Sequence, residues 1–197
     1  LSAVAAVLAY GANTQGLGWH GKLPHIQQCQ VEDDQSYVGI DAATRRNLEI
    51  TETLRGETDP TLFSLLDSCS SAMGSRLLRH WLHHPIRDQA VVTNRHVAIE
   101  TLLANPFVLA DVQQTLKQVA DVERISTRLA LGSARPRDLS SLRDTLASLP
   151  TLATLLNPLG GQSVTLAKLA EVLASPPPVL DLLQRAIAPE PSVVIRE

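Results

Sequence analysis

The chain has 197 residues, a formal charge of −3 and 44% hydrophobic residues. This length suits one domain, or one domain plus a fragment, with a real core, and the near-neutral charge lacks the basic footprint of an autonomous nucleic-acid binder. Its two cysteines, Cys29 and Cys69, are far apart with no Cys-x-x-Cys spacing, which points to a reduced, cytosolic setting.

Residues 1–8 are apolar but too short to span a membrane, and no basic segment precedes them, so they are also a poor signal peptide. Leu1, Val4, Ala5, Leu8 and Ala9 share a helical face, which predicts a first helix stopping near Gly11. Residues 13–24 are rich in Gly, Asn, Thr and Gln, end in Pro24 and read as a loop. Residues 26–30 and 36–40 read as two short strands around the acidic turn Glu32-Asp33-Asp34.

From Asp41 onward the pattern is helical. Asp41 or Thr44 caps a short helix reaching Ile50, because a side-chain oxygen can satisfy orphan N–H groups. Gly56 and Pro60 punctuate a loop, and Pro60 suits the first turn of a helix to about Ser68. Ser70 or Ser71 caps a helix over 72–84, closed by Pro85, with Leu77, Leu78, Trp81 and Leu82 as its apolar stripe. Asp88 starts a helix that ends at Asn105-Pro106, and helices over 107–119 and 121–131 follow, with Gly132 as a C-terminal stop. Pro136 opens a long helix through Leu156, bent at Pro150, in which Leu139, Leu142, Leu146 and Leu149 recur at spacings of three and four. Helices over 164–173 and 179–187 end the series, on either side of Pro176-Pro177-Pro178. No repeat of fixed period occurs, which disfavours a solenoid. The expected fold class is mainly α, an irregular multi-helix domain behind a small α/β remnant.

Several motifs invite a chemical reading. Gly16-Leu17-Gly18-Trp19-His20-Gly21-Lys22 contains both Gly-x-Gly-x-x-Gly and Gly-x-x-x-x-Gly-Lys. A phosphate loop needs a strand before it and a helix after it. Here a helix precedes, Leu23 replaces the magnesium-binding hydroxyl residue, and Pro24 follows, so a surface loop is the better reading. His80, His83 and His84 have helical spacings, yet the only nearby carboxylate is Asp88 beyond Pro85. Partly charged histidines suit the negative end of a helix dipole better than a metal site there. Arg76, Arg79 and Arg87, with Arg45 and Arg46, form a basic stretch that could hold phosphate. Glu49, Glu52, Asp67 and Asp88 are interleaved with them, so a solvated or ion-paired face is the favoured account, and Arg45 and Arg46 are expected to ion-pair rather than grip DNA. Asp121, Glu123, Arg124, Arg128, Arg135, Arg137 and Asp138 read the same way. There is no Gly-x-Ser-x-Gly elbow and no local signature around either cysteine, so no catalytic, cofactor-binding or metal-ligating residue is assigned.

Ile40-Asp41-Ala42-Ala43-Thr44-Arg45-Arg46-Asn47-Leu48-Glu49-Ile50, then 66–88 with Met73-Gly74-Ser75-Arg76-Leu77-Leu78-Arg79-His80-Trp81-Leu82, occur in a telling order. Asp121-Val122-Glu123-Arg124, Arg128-Leu129-Ala130-Leu131 and Ala134-Arg135-Pro136-Arg137-Asp138-Leu139 continue it, and Leu23-Pro24-His25-Ile26 stands before it. Together they resemble the MutS family of DNA mismatch-repair proteins. The resemblance implies a connector-domain remnant at 1–39 and the first segment of the helical core, or lever, at 40–197, truncated before the clamp. Both chain ends read as cut, which fits a piece of a longer protein.

What the resemblance implies is mechanical: a coupling segment of a DNA-dependent ATPase, linking mismatched-DNA binding and the clamp to the ATPase domain. The family's Phe-x-Glu mismatch reader has no counterpart, since Phe63 and Phe107 are each followed two residues later by Leu, and no ATPase phosphate loop is found. This segment is therefore expected not to be an enzyme and to hold no cofactor, with ATP and magnesium belonging to the full-length protein. The implied partners are the remainder of the MutS chain, mismatched double-stranded DNA and a MutL-type protein, in a cytoplasmic homodimer without a membrane. The alternative is a free-standing helical protein-interaction module. Without the returning half of the core, some helix face should be left uncovered.

Overall fold

The structure is a computed structural model and describes residues 2–14 and 34–192. Two compact units divide the chain, Leu1–Asp33 and Asp34–Glu197. In the first unit, α1 spans Ser2–Thr14. It runs through Gly11 instead of stopping there, because an interior glycine weakens a helix by only about 1 kcal/mol relative to alanine and does not forbid it. The strand expected at 26–30 and the Gly16–Lys22 motif lie outside the described residues.

The second unit has no strand among its described residues. The expected strand at 36–40 is replaced by a 3-10 turn, Asp34–Ser36, and one antiparallel bridge from Tyr37 to Ile86. The Val38 N–H donates to the Pro85 carbonyl at 2.8 Å and the Arg87 N–H to Ser36 at 3.1 Å. Among the described residues the pairing stays an isolated bridge and does not extend into a ladder.

Nine helices follow among the described residues. Helix α2 spans Ala42–Asn47, α3 Leu62–Leu66, α4 Ala72–His83 and α5 Gln89–Leu103. Helix α6 spans Pro106–Leu116, α7 Val122–Ala130, α8 Pro136–Leu156, α9 Val164–Ala174 and α10 Val179–Ala186. Their starts are local chemistry. Asp41, Ser71, Asp88, Asp121 and Ser163 each accept an N–H of the first turn. Pro60 is not in α3. Thr61 caps it, in a reciprocal box with Ser64. Gly132 takes φ +64° after α7, a conformation that a Cβ would strain.

Helix α8 organises the core. Its second half, through Leu152 and Leu156, joins Ala98 of α5, Val112 of α6 and Leu166 and Ala170 of α9. Its first half, through Leu142 and Leu146, joins Ile125 of α7 and Leu180 and Leu183 of α10, with Leu139 and Leu149 packed against them. One continuous helix thus carries two apolar clusters, with Pro150 inside it. Pro150 has no N–H for the Leu146 carbonyl, so one helical bond is missing between the clusters.

Not every stripe is buried. On α4, Leu78 and Leu82 are half-buried but Leu77 and Trp81 are exposed, and the Arg95 guanidinium covers the Trp81 ring at 3.7 Å. Ile99, Leu103 and Phe107 lie open on α5 and α6, Phe107 being 87% exposed. An uncovered apolar face is therefore present. No described helix is long and apolar enough to cross a membrane.

Candidate functional site

A concave cationic surface forms where α2 ends and its following loop faces α4. Asp41 begins α2 by accepting the Thr44 N–H at 2.9 Å and its hydroxyl at 2.8 Å. That places Arg45 and Arg46 in the last turn. The helix ends at Asn47, and Glu49 then takes a left-handed φ of 45°. The turn sends the Glu49 carboxylate to the Leu54 N–H, 2.7 Å away. Thr53 closes a tight loop behind it: its N–H donates to the Glu57 carbonyl, its carbonyl accepts from Gly56, and its hydroxyl accepts from the Glu57 N–H at 3.0 Å.

The same turn seats the chain on α3. Carbonyls of Glu49 and Ile50 accept the N–H groups of Leu62 and Phe63 at 3.1 and 2.8 Å. These are orphan donors of a first helical turn, so the loop is tied down by bonds that α3 cannot make itself. Ile50 is buried at 3% exposure beside this junction.

The result is a cavity of about 460 Å³ lined by Arg45, Arg46, Arg55, Thr51, Thr53 and Glu52, with His83 of α4 at its wall. The His83 Nε2 lies 3.0 Å from the Thr51 hydroxyl. Burial holds His83 below its ordinary imidazole range, and the Arg45 and Arg79 guanidiniums and His84 add to that. His83 is therefore kept towards neutral, less charged than the partly charged histidine expected at this helix end.

The other two histidines are engaged locally. His84 donates from Nδ1 to the His80 carbonyl at 3.1 Å, and the two rings stack at 4.5 Å between centroids. Tyr37 meets His84 edge-on. Among the described residues, no three His, Cys, Asp or Glu side chains are placed to share a metal ion.

The ion pairs expected of the basic stretch divide sharply. Arg76 pairs with both Asp121 and Glu123. Arg128 pairs with Asp138 at 2.6 Å and Arg124 with Asp121 at 3.5 Å. Arg79 instead lies 5.5 Å from the centre of the Phe63 ring. Arg45 and Arg46 form no ion pair among the described residues, contrary to the sequence reading. Glu49 sits four residues after Arg45, the spacing of a helical pair. The helix stops before reaching it, and its carboxylate is used by the Leu54 N–H. Asp67 and Asp88 are likewise spent on local bonds, to Ser75 and to the α5 N-terminus. The Arg45 Nε is buried with no hydrogen-bond partner.

Thr51, Thr53 and Arg55 went unremarked in the sequence. The usable signal was Arg55-Gly56 after a Thr-Glu-Thr run, a loop cation beside a residue suited to positive φ, which Gly56 adopts at 83°. Cys69 is a free, exposed cysteine whose thiol is pushed up by partial burial and by Asp67, opposite to nucleophile activation. Cys29 lies outside the described residues. A family model described as MutS domain III matches residues 43–197.

Proposed function

Because the chain belongs to the MutS family, carrying its domain III over residues 43–197, we propose that it acts as a mechanical link in a mismatch-repair ATPase. In this reading the segment transmits strain between the DNA-gripping and ATP-hydrolysing parts of the whole protein. It reads no mismatch and hydrolyses no ATP itself. ATP and magnesium, mismatched DNA, a MutL-type partner, the homodimer and the cytoplasmic setting belong to the whole protein.

The observation that carries this reading is α8. A single 21-residue helix supplies side chains to both apolar clusters. Close-packed interiors transmit displacement because they resist compression. Coupling between distant sites needs such an element, biased from both ends. The ion pairs from Arg76 to Asp121 and from Arg128 to Asp138 tie neighbouring elements to the same frame.

The test is made in the full-length protein. Ala147 and Thr151 are exposed on α8. Replacing both with glycine softens the helix, by about 1 kcal/mol at Ala147 and by roughly a few tenths of that at Thr151, without opening the core. Stimulation of ATP turnover by mismatched DNA should fall by about tenfold, the scale of a typical coupling energy. Basal turnover and mismatch affinity should stay close to wild type. Unchanged stimulation in a variant with a softened α8 would sink the coupling role.

A further inference from the structure

We propose that the cavity formed by the end of α2, the loop over residues 49–57 and α4 binds a phosphate dianion, inorganic or as a monoester, through Arg45, Arg46 and Arg55. This does not rest on the coupling role.

Three observations converge. First, Arg45 is half-buried and its Nε is enclosed without an acceptor. A buried donor of a charged group left unpaired is costly, and nearly all such groups in folded proteins find a partner. Second, the lining is unbalanced. It has three guanidiniums against one carboxylate, Glu52, and none of these four groups forms an ion pair among the described residues. The excess is two positive charges, which a phosphate dianion matches and a single carboxylate does not. Third, the wall offers further polar atoms. Thr53 accepts from backbone N–H groups through its hydroxyl, which leaves its own proton free to donate to a phosphate oxygen. Guanidinium forks fit phosphate oxygens in pairs, and desolvation at a concave site strengthens such charge-assisted bonds.

The loop geometry supports a built receptacle. Glu49 is turned out of reach of Arg45 and bonded to Leu54, while carbonyls of residues 49 and 50 anchor the segment on α3. The nearest acid that spacing would offer is thereby removed from the arginines. His83 stands at the wall, held towards neutral by burial and by Arg45 and Arg79. A dianion bound beside it would offset those cations and raise its pKa.

The experiment uses the 197-residue chain with inorganic phosphate as the probe, titrated calorimetrically at constant ionic strength set with chloride. The His83 ring is followed by NMR through a pH series. One saturable site is expected, with an upward displacement of the His83 titration when phosphate is bound. Arg46→Gln and Arg55→Gln, both at exposed side chains, should each weaken binding on the order of tenfold. Arg137→Gln, on α8 and away from the cavity lining, should leave it unchanged. Acetate should not saturate the site, and a short duplex oligonucleotide should not displace phosphate. No saturable phosphate binding, or an unmoved His83, would overturn the proposal. So would equal binding of acetate, which marks a carboxylate receptor, or displacement by the duplex, which marks a nucleic-acid backbone contact.

Discussion

Arg76 holds Asp121 with both terminal nitrogens, Nη1 to Oδ2 at 2.9 Å and Nη2 to Oδ1 at 2.7 Å. The same carboxylate accepts the Arg124 N–H at 3.2 Å and so caps α7. One side chain therefore fixes the start of α7 and ties it to α4, 45 residues earlier in the chain. The Arg76 hydrogen bonds hold the Asp121 carboxyl below its ordinary range, and the cap adds to that.

A two-toothed pair of this kind does not survive replacement by a point charge. Arg76→Lys should lower the thermal midpoint nearly as much as Arg76→Ala. Asp121→Asn keeps a capping oxygen and loses the charge, so it should retain α7 but lose the pair. Combined with Arg76→Ala it should cost less than the two single losses added, because both remove one contact. Strict additivity in thermal unfolding would show that the pair contributes nothing to stability.

The two ends of α8 should respond alike to cavities and unlike the surface. Leu142→Ala and Leu156→Ala each empty a buried site in a different cluster and should cost about 2–5 kcal/mol in urea unfolding. Leu65, 81% exposed on α3, should change stability by less than about 0.5 kcal/mol when replaced with alanine. A cost at Leu142 as small as that at Leu65 would remove the second cluster from the folding core.

Glu49 combines a strained backbone with a useful carboxylate. Its left-handed φ of 45° is uncommon for a residue with a Cβ, and its side chain accepts the Leu54 N–H. Glu49→Ala keeps the strain and loses the bond, for a cost of about 1–2 kcal/mol. Glu49→Gly also loses the bond but relieves the strain, so it should be the milder change in the same unfolding assay. Glycine proving the worse of the two would mean that the turn is not strained.

Stability should fall with acid in two separate steps. Folded His83 is held below its ordinary value of 6.5, by burial first and then by Arg45, Arg79 and His84. The unfolded chain therefore binds more protons here as pH drops below about 6.5, and stability is lost from there down through the folded value. Asp121 and Asp138 are held below 3.8, the first chiefly by Arg76 and the second chiefly by the Arg135 backbone N–H. Their contribution is complete above about 3.8 and disappears as pH falls through their folded values. In a pH series of urea unfolding, His83→Gln should abolish the upper step and spare the lower one.

Much of the helical layout was legible because caps are local. Asp41, Ser71, Asp88 and Asp121 sit directly before their helices, and each satisfies backbone groups within three residues. Gly132 marks a stop for the same reason, through its own φ. The alternating spacing of Leu139, Leu142, Leu146 and Leu149 announced a buried face that α7 and α10 do cover. Local rules failed where a turn overrode them. Helix α2 ended before Glu49, so the spacing that paired it with Arg45 lost its meaning. Helix α4 left Leu77 and Trp81 exposed, the Trp81 ring lying under the Arg95 guanidinium, because a stripe is buried only where packing brings an apolar neighbour to it.

What the sequence by itself determined is therefore the set of helices, most of their starts, and the ordered motifs of the family, all written in neighbouring residues. The choice of partners was decided only by the tertiary structure. Arg76 finds Asp121 and Glu123 across the fold, while Arg45, with acids closer in sequence, finds none among the described residues. The reason is physical: a helix N–H has its partner at fixed separation along the chain, whereas a long side chain bonds whatever the packed elements bring within reach. Only folding could turn Glu49 away, place His83 against Thr51 and leave three arginines around one cavity.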